Sequence, residues 1–243
     1  MNAGPGEVGA AGASARPAAH RAAEAAHQAM AAVKPRLRGV SHFYGFFVAI
    51  VAGVVLVATA PGGTATFAAA VYATTLAGMF GASALYHRGD WSPAQARLLL
   101  QLDHTAIFLL IAGTYTPIAL LAMSGTLQVV TLTAVWVVAA AGIGFEWLPV
   151  PAPRGYVTTV YLALGWIGAF AFPPLWEHTG ALGVALIAGG GISYTIGAIV
   201  HAARRPDPWP DVFGYHEIFH VFVILAAALH YCAIAFLVLP LGS

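Results

Sequence analysis

His216 and His220 stand four positions apart in the run His216-Glu217-Ile218-Phe219-His220. On a helix that spacing puts both imidazoles on one face, about one turn apart, where two ring nitrogens can share a metal ion. His87, from a distant part of the chain, would complete a set of three nitrogen ligands. Three histidines without a cysteine favour zinc, with the fourth position left for water. Ser83 precedes His87 by four residues and shares its helix face. Asp103 is suited to hold a metal-bound water or to serve as its general base, because zinc lowers that water's pKa toward about 7. The competing reading for each histidine is a buried imidazole bonded to a backbone carbonyl.

Other polar residues carry weaker expectations. His216-Glu217-x-x-His220 matches the H-E-x-x-H helix of zinc proteases, in which Glu217 rather than Asp103 would be the base. His42 and His201, at the ends of apolar runs, have two readings, beside the site or at the membrane interface, and the interface is preferred. His230 is expected to be a packed histidine, and His104 faces about 100° away from Asp103 on the same helix. Glu146 closes the fourth apolar run, and His20, His27 and His178 are expected to be solvated. Cys232 reads as a small core residue. As the single cysteine it excludes an internal disulfide and a cysteine metal cage.

These groups must be positioned by a chain that is 60% hydrophobic and 8% charged, with a mean hydropathy of +0.80. A soluble domain carries about 25% charged residues. The composition excludes a soluble globular domain, a disordered chain and a nucleic-acid binder. A formal net charge of +1 offers no field for an acidic partner. Apolar runs able to cross roughly 30 Å of hydrocarbon are read at Val40–Ala60, Thr64–Tyr86, Leu98–Ala122, Leu127–Phe145, Tyr156–Phe172, Ala181–Ala202 and Tyr215–Leu239. Pro- and Gly-rich punctuation such as Pro61-Gly62-Gly63 and Pro173-Pro174 separates them. The runs are too long and continuous for barrel strands. The expected fold is all-α, a polytopic membrane protein with a seven-transmembrane helical bundle over residues 40–243.

Charge sets the expected orientation. Arg16, Arg21, Lys34, Arg36 and Arg38 precede the first run. Arg88 and Arg97 follow the second, Arg154 the fourth, and Arg204 and Arg205 the sixth, while the other connections have no Lys or Arg. This bias places the N-terminus in the cytoplasm and the C-terminus outside. Residues 1–39, rich in Ala, Gly and Pro, read as a poorly ordered cytoplasmic tail without a signal h-region. The same topology brings Ser83, His87, Asp103, His216 and His220 to one depth in the cytoplasmic leaflet. Ionisable residues at such depth are costly and are functional candidates by default.

The motifs resemble a known family. Ser83-Ala84-Leu85-Tyr86-His87, then Leu102-Asp103-His104-Thr105 with Ile111-Ala112-Gly113-Thr114-Tyr115-Thr116-Pro117, and His216-x-x-x-His220 carry the resemblance. Ser41-His42 with Gly45, Gly165-Trp166 and Tyr194-Thr195-Ile196-Gly197 add to it. Over nearly all of Val40 to Leu239 the chain is similar to the hemolysin III family, the bacterial branch of the progestin and adipoQ receptor (PAQR) superfamily. The resemblance implies zinc held by His87, His216 and His220, with Asp103 at the zinc-bound water and Ser83 beside it. It also implies a multi-pass protein of the bacterial plasma (inner) membrane. The function expected is zinc-dependent hydrolysis of lipid amides or esters, ceramidase-like, on a substrate whose acyl chain enters from the bilayer. Alternatives are a pore-forming cytolysin or channel, a receptor-like protein with structural zinc, and the intramembrane metalloprotease using Glu217.

Overall fold

The computed structural model describes residues 34–148 and 156–243. The expected tail falls largely outside this range, as does the connection that contains Arg154. Among the described residues seven α-helices follow one another: α1 (Val40–Thr59), α2 (Gly63–Arg88), α3 (Pro93–Ala122), α4 (Gly125–Glu146), α5 (Tyr156–Trp166), α6 (Phe172–Ala203) and α7 (Tyr215–Ala233). A 3₁₀ stretch, Ile167–Ala171, joins α5 to α6. A π turn, Ile234–Val238, and a 3₁₀ turn, Leu239–Gly242, continue α7. No strand occurs among the described residues, and one isolated bridge pairs Trp209 with Phe213.

Local chemistry sets the helix starts. Ser92 caps α3, accepting from Gln95 N while the Gln95 side chain returns to Ser92 N at 3.1 Å, and Pro93 occupies the first turn. Gly39 precedes α1 at φ 73°, a left-handed conformation that favours glycine. A Cβ there would stand 2.6 Å from the His87 Cβ, so this glycine lets α1 begin against the end of α2. Among the described residues six stretches are long and apolar enough to cross a membrane, where the sequence reading expected seven separate runs. The difference lies in one 46-residue stretch, Thr158–Ala203, that joins the runs expected at Tyr156–Phe172 and Ala181–Ala202. It reads as continuous because Pro173 and Pro174 sit in the first turn of α6, where proline is tolerated. Its backbone breaks further on, at Gly180, with φ 64° and ψ −165°.

α3 is the most buried helix and organises the interior. One apolar cluster gathers Leu56, Tyr72, Phe80, Leu110, Val223 and Ile234 from α1, α2, α3, α7 and the π turn. A second joins Phe108 and Tyr115 of α3 to Val135 of α4 and Leu164 of α5. Outward faces carry Tyr44, Val48, Val51 and Val54, all exposed and apolar in body, which suits hydrocarbon rather than water. Cys232 is exposed, contrary to the expectation of a core residue. The buried face of α7 runs through His220, Val223, Ala226, Ala227 and Ala233, and Cys232 turns away from it.

Gly113 lets α3 approach α2. A Cβ at this position would lie 2.1 Å from Thr75 Oγ1 and 2.9 Å from Thr75 Cβ. Gly113→Ala is therefore expected to destabilise by about 1–3 kcal/mol through overpacking. Thermal unfolding in detergent measures this, and Thr75→Ala in the same chain should return part of the loss.

Candidate metal centre

The last turn of α2 supplies His87, and the first two turns of α7 supply His216 and His220. One ligand atom from each lies within 4.8 Å of the others. His87 Nε2 and His216 Nε2 are 3.2 Å apart. Two nitrogens bound at about 2.0–2.1 Å to a tetrahedral zinc stand roughly 3.3 Å apart, so this pair is already spaced as ligands of one ion. His220 is 1% exposed, and its Nδ1 is buried with no hydrogen-bond partner. The three imidazoles offer converging ring nitrogens in a largely buried place, and such a donor set suits a cation. The three residues fit a metal ion, and nitrogen-only ligation fits zinc.

Asp103, about three turns into α3, faces this trio. Its Oδ2 lies 3.7 Å from His87 Nε2, and the Ser83 side chain lies near it in the same cavity lining. All five residues singled out from the sequence thus meet in one place. A helix turn of spacing put His216 beside His220, and shared depth put α2 and α3 residues at their level.

Two residues expected elsewhere also belong here. His42 was expected at the membrane interface, yet it is 2% exposed. Its Nδ1 is 2.8 Å from Ser83 Oγ and its ring lies on that of His220. The start of α1 is drawn inward at Gly39, so the first turn that carries His42 is covered. The available signal was depth: α1 begins at the level where α2 ends. His201, half-buried, sits at the margin with its ring 5.0 Å from that of His216.

Glu217 has a different task from its motif neighbours. One carboxylate oxygen accepts from Arg38 Nε at 2.5 Å and the other from Gly214 N at 2.8 Å, capping α7. The backbone of Arg36 and Leu37 also donates to Asp211 O and Val212 O. The segment before α1 therefore straps the loop before α7, and with it the helix turn that carries His216 and His220. His104 pairs with Glu146 at 2.8 Å, away from the trio. His230 Nε2 lies 3.1 Å from Ile187 O as a packed histidine, and His178 is exposed.

The trio forms the polar end of a cavity of about 760 Å³. From Asp103 the cavity follows α3 past Ile107, Leu110 and Ile111 to Ile118. Fifteen residues at 1.5 Å each make this wall roughly 22 Å long. Tyr194 and Leu175 also line it. The lining is mostly apolar along its length, with the histidine trio and Asp103 at one end and His230 further along α7.

Arg38→Ala would leave the Glu217 carboxylate buried without its counter-charge. A loss on the order of 2–3 kcal/mol is expected, below the value for a fully buried pair because Arg38 is partly exposed. Unfolding in detergent checks it. Arg38→Met combined with Glu217→Gln should recover most of the loss, whereas an unchanged Arg38→Ala would remove the strap from the account.

Comparison with known proteins gives the family. Residues 30–231 match the family model described as Haemolysin-III related. The chain is 34% identical over 207 residues to Hemolysin-3 of Bacillus cereus, covering 84% of this chain and 91% of that protein. It is 37% identical over 138 residues to the Hemolysin-3 homolog of Bacillus subtilis (strain 168), covering 56% and 62% of the two. A heptahelical transmembrane protein, ADIPOR2 of Oryza sativa subsp. japonica, is 30% identical over 149 residues, covering 55% of this chain and 65% of the relative. With the family matched from before the first helix to near the end of the last, and its histidines meeting in the interior, the chain belongs to the hemolysin III family of the PAQR superfamily.

Proposed function

We propose that this protein is a zinc-dependent hydrolase of lipid amides or esters, built as seven transmembrane spans with a cytoplasmic N-terminus and an outside C-terminus. The observation that carries the reading is one juxtaposition. His87, His216 and His220 meet Asp103 and Ser83 at the polar end of an apolar cavity. The two legs of Thr158–Ala203, divided at Gly180, are taken as separate spans. Fully helical, 46 residues would extend about 69 Å, roughly twice the hydrocarbon thickness.

His87, His216 and His220 would hold the ion, which when bound supplies Lewis acidity and a water pKa lowered toward about 7. Asp103 accepts the proton of the attacking water as its oxygen bonds to the substrate carbonyl carbon. The Ser83 hydroxyl donates toward the carbonyl oxygen as negative charge builds there. Asp103 then returns the proton to the departing amine or alcohol as the C–N or C–O bond breaks. The walls along Ile107, Leu110, Ile111 and Ile118 take the acyl chain and exclude water from the reacting carbonyl. Glu217, engaged by Arg38 and Gly214, favours Asp103 as the base and disfavours the metalloprotease reading. The cytolytic reading draws on the names of the Bacillus relatives, and the receptor-like reading treats the ion as structural.

Metal content of detergent-purified protein tests the centre. About one zinc per chain is expected, lost in His87→Ala and His220→Ala and retained in Asp103→Asn. Among lipid amides and esters offered to the zinc-loaded chain, turnover should fall about 100-fold or more in Asp103→Asn. Full turnover in that variant would remove Asp103 as the proton acceptor. Zinc without turnover on any lipid, with lysis of vesicles instead, would favour the cytolytic reading. Orientation is tested in a Cys232→Ala background: Ser124→Cys should react with an impermeant thiol reagent on intact cells, and Asp90→Cys only after permeabilisation.

A further inference from the structure

The buried imidazole of His42 contributes no ligand atom to the trio of His87, His216 and His220, yet it touches that trio more closely than any other ring. Its centroid lies 3.8 Å from that of His220, with 7° between the planes. Ser83 Oγ holds its Nδ1 at 2.8 Å, and Phe80 meets it edge-on at 5.0 Å and 81°. The His42 ring is thus restrained by a hydrogen bond and a packed edge, and it presents a flat face to His220.

We propose that His42 is a positioning residue of the metal centre, a platform that fixes the imidazole plane of His220. The inference rests on the reading that His87, His216 and His220 hold an ion. A ligating histidine is normally oriented by a hydrogen bond at its other ring nitrogen. His220 Nδ1 has no such partner, so contact with its ring face must supply the restraint. Two neutral rings gain little from a parallel face-to-face stack, because their quadrupoles oppose one another. A ring that has given its lone pair to a dication is electron-poor, and its face then attracts the π-cloud of a neighbour. The His42–His220 stack therefore strengthens when the ion is held, which couples a residue of α1 to ligands of α2 and α7. Ser83 gains a second role, as the anchor of the platform, beside its position at Asp103.

The test uses the full-length chain in detergent, as wild type, His42→Ala, His42→Phe and Ser83→Ala. Zinc affinity is measured by chelator competition, the ligand field by the absorption bands of the Co²⁺-loaded protein, and folding by melting of the metal-free chain. His42→Ala is expected to weaken zinc binding by about 10-fold or more and to shift the Co²⁺ bands. His42→Phe restores an aromatic face and should recover most of the affinity, and Ser83→Ala should fall between the two. Wild-type affinity and bands in His42→Ala would overturn the proposal. So would a His42→Phe as weak as His42→Ala, or a lower melting temperature with unchanged Co²⁺ bands. A wild type that binds no zinc would overturn the metal reading itself, and the platform with it.

Discussion

The cost of keeping ionisable groups inside an apolar bundle governs this structure. Three imidazoles, a fourth stacked on one of them and three carboxylates lie in or beside the interior of a chain with 8% charged residues. None of these groups can be stripped of water unless something else satisfies it. Each carboxylate has an identifiable partner: Glu217 meets Arg38 and Gly214, Glu146 meets His104, and Asp103 faces His87 and Ser83. The imidazoles mostly face one another, and that is the feature that calls for a cation. Apolar packing alone would be met more cheaply by leucine at these positions. Their presence is best understood as a requirement of chemistry that the surrounding helices are arranged to support.

The support is built from the helix ends. α2 contributes its last turn, α7 its first two, and α1 its first, so three helix termini converge where backbone groups are already open to capping and to polar side chains. Gly39 brings the start of α1 against His87, and Glu217 caps α7 while holding Arg38. The buried length of α3 runs past this convergence and continues as one wall of the cavity. The histidine trio and Asp103 thereby gather at one end of the cavity, and the α3 wall beyond them is largely apolar. A lipid-like molecule, polar at one end and apolar along its length, has the same division.

Much of this was legible along the chain. Composition gave the membrane class, apolar runs gave helices close to those observed, and the four-residue spacing of His216 and His220 gave two ligands on one face. Equal depth gathered Ser83, His87 and Asp103 with them. The same argument, extended to α1, would have included His42. The interface was preferred for it, because a histidine at the start of an apolar run is indistinguishable, in one dimension, from an interfacial one. Glu217 shows the opposite limit: its place in H-E-x-x-H made it a candidate base, while its actual partners are an arginine 179 residues away and the cap of its own helix. Cys232 was misplaced for a related reason, since apolar neighbours on both sides leave no periodic signal of which face is covered.

The sequence by itself determined what can be read along one axis: which segments are helical, how deep each polar residue lies, and which residues of one helix share a face. Helical periodicity and hydropathy are local properties, and they establish axial position. Only the tertiary structure decided rotation about each helix axis and the choice of neighbours. Those two variables brought His42 onto His220, turned His104 to Glu146 and Cys232 outward, and set Arg38 against Glu217. They depend on side-chain shape across helix interfaces, as where Gly113 admits Thr75 or Gly39 admits His87. Such complementarity belongs to pairs of surfaces and is written in neither segment alone.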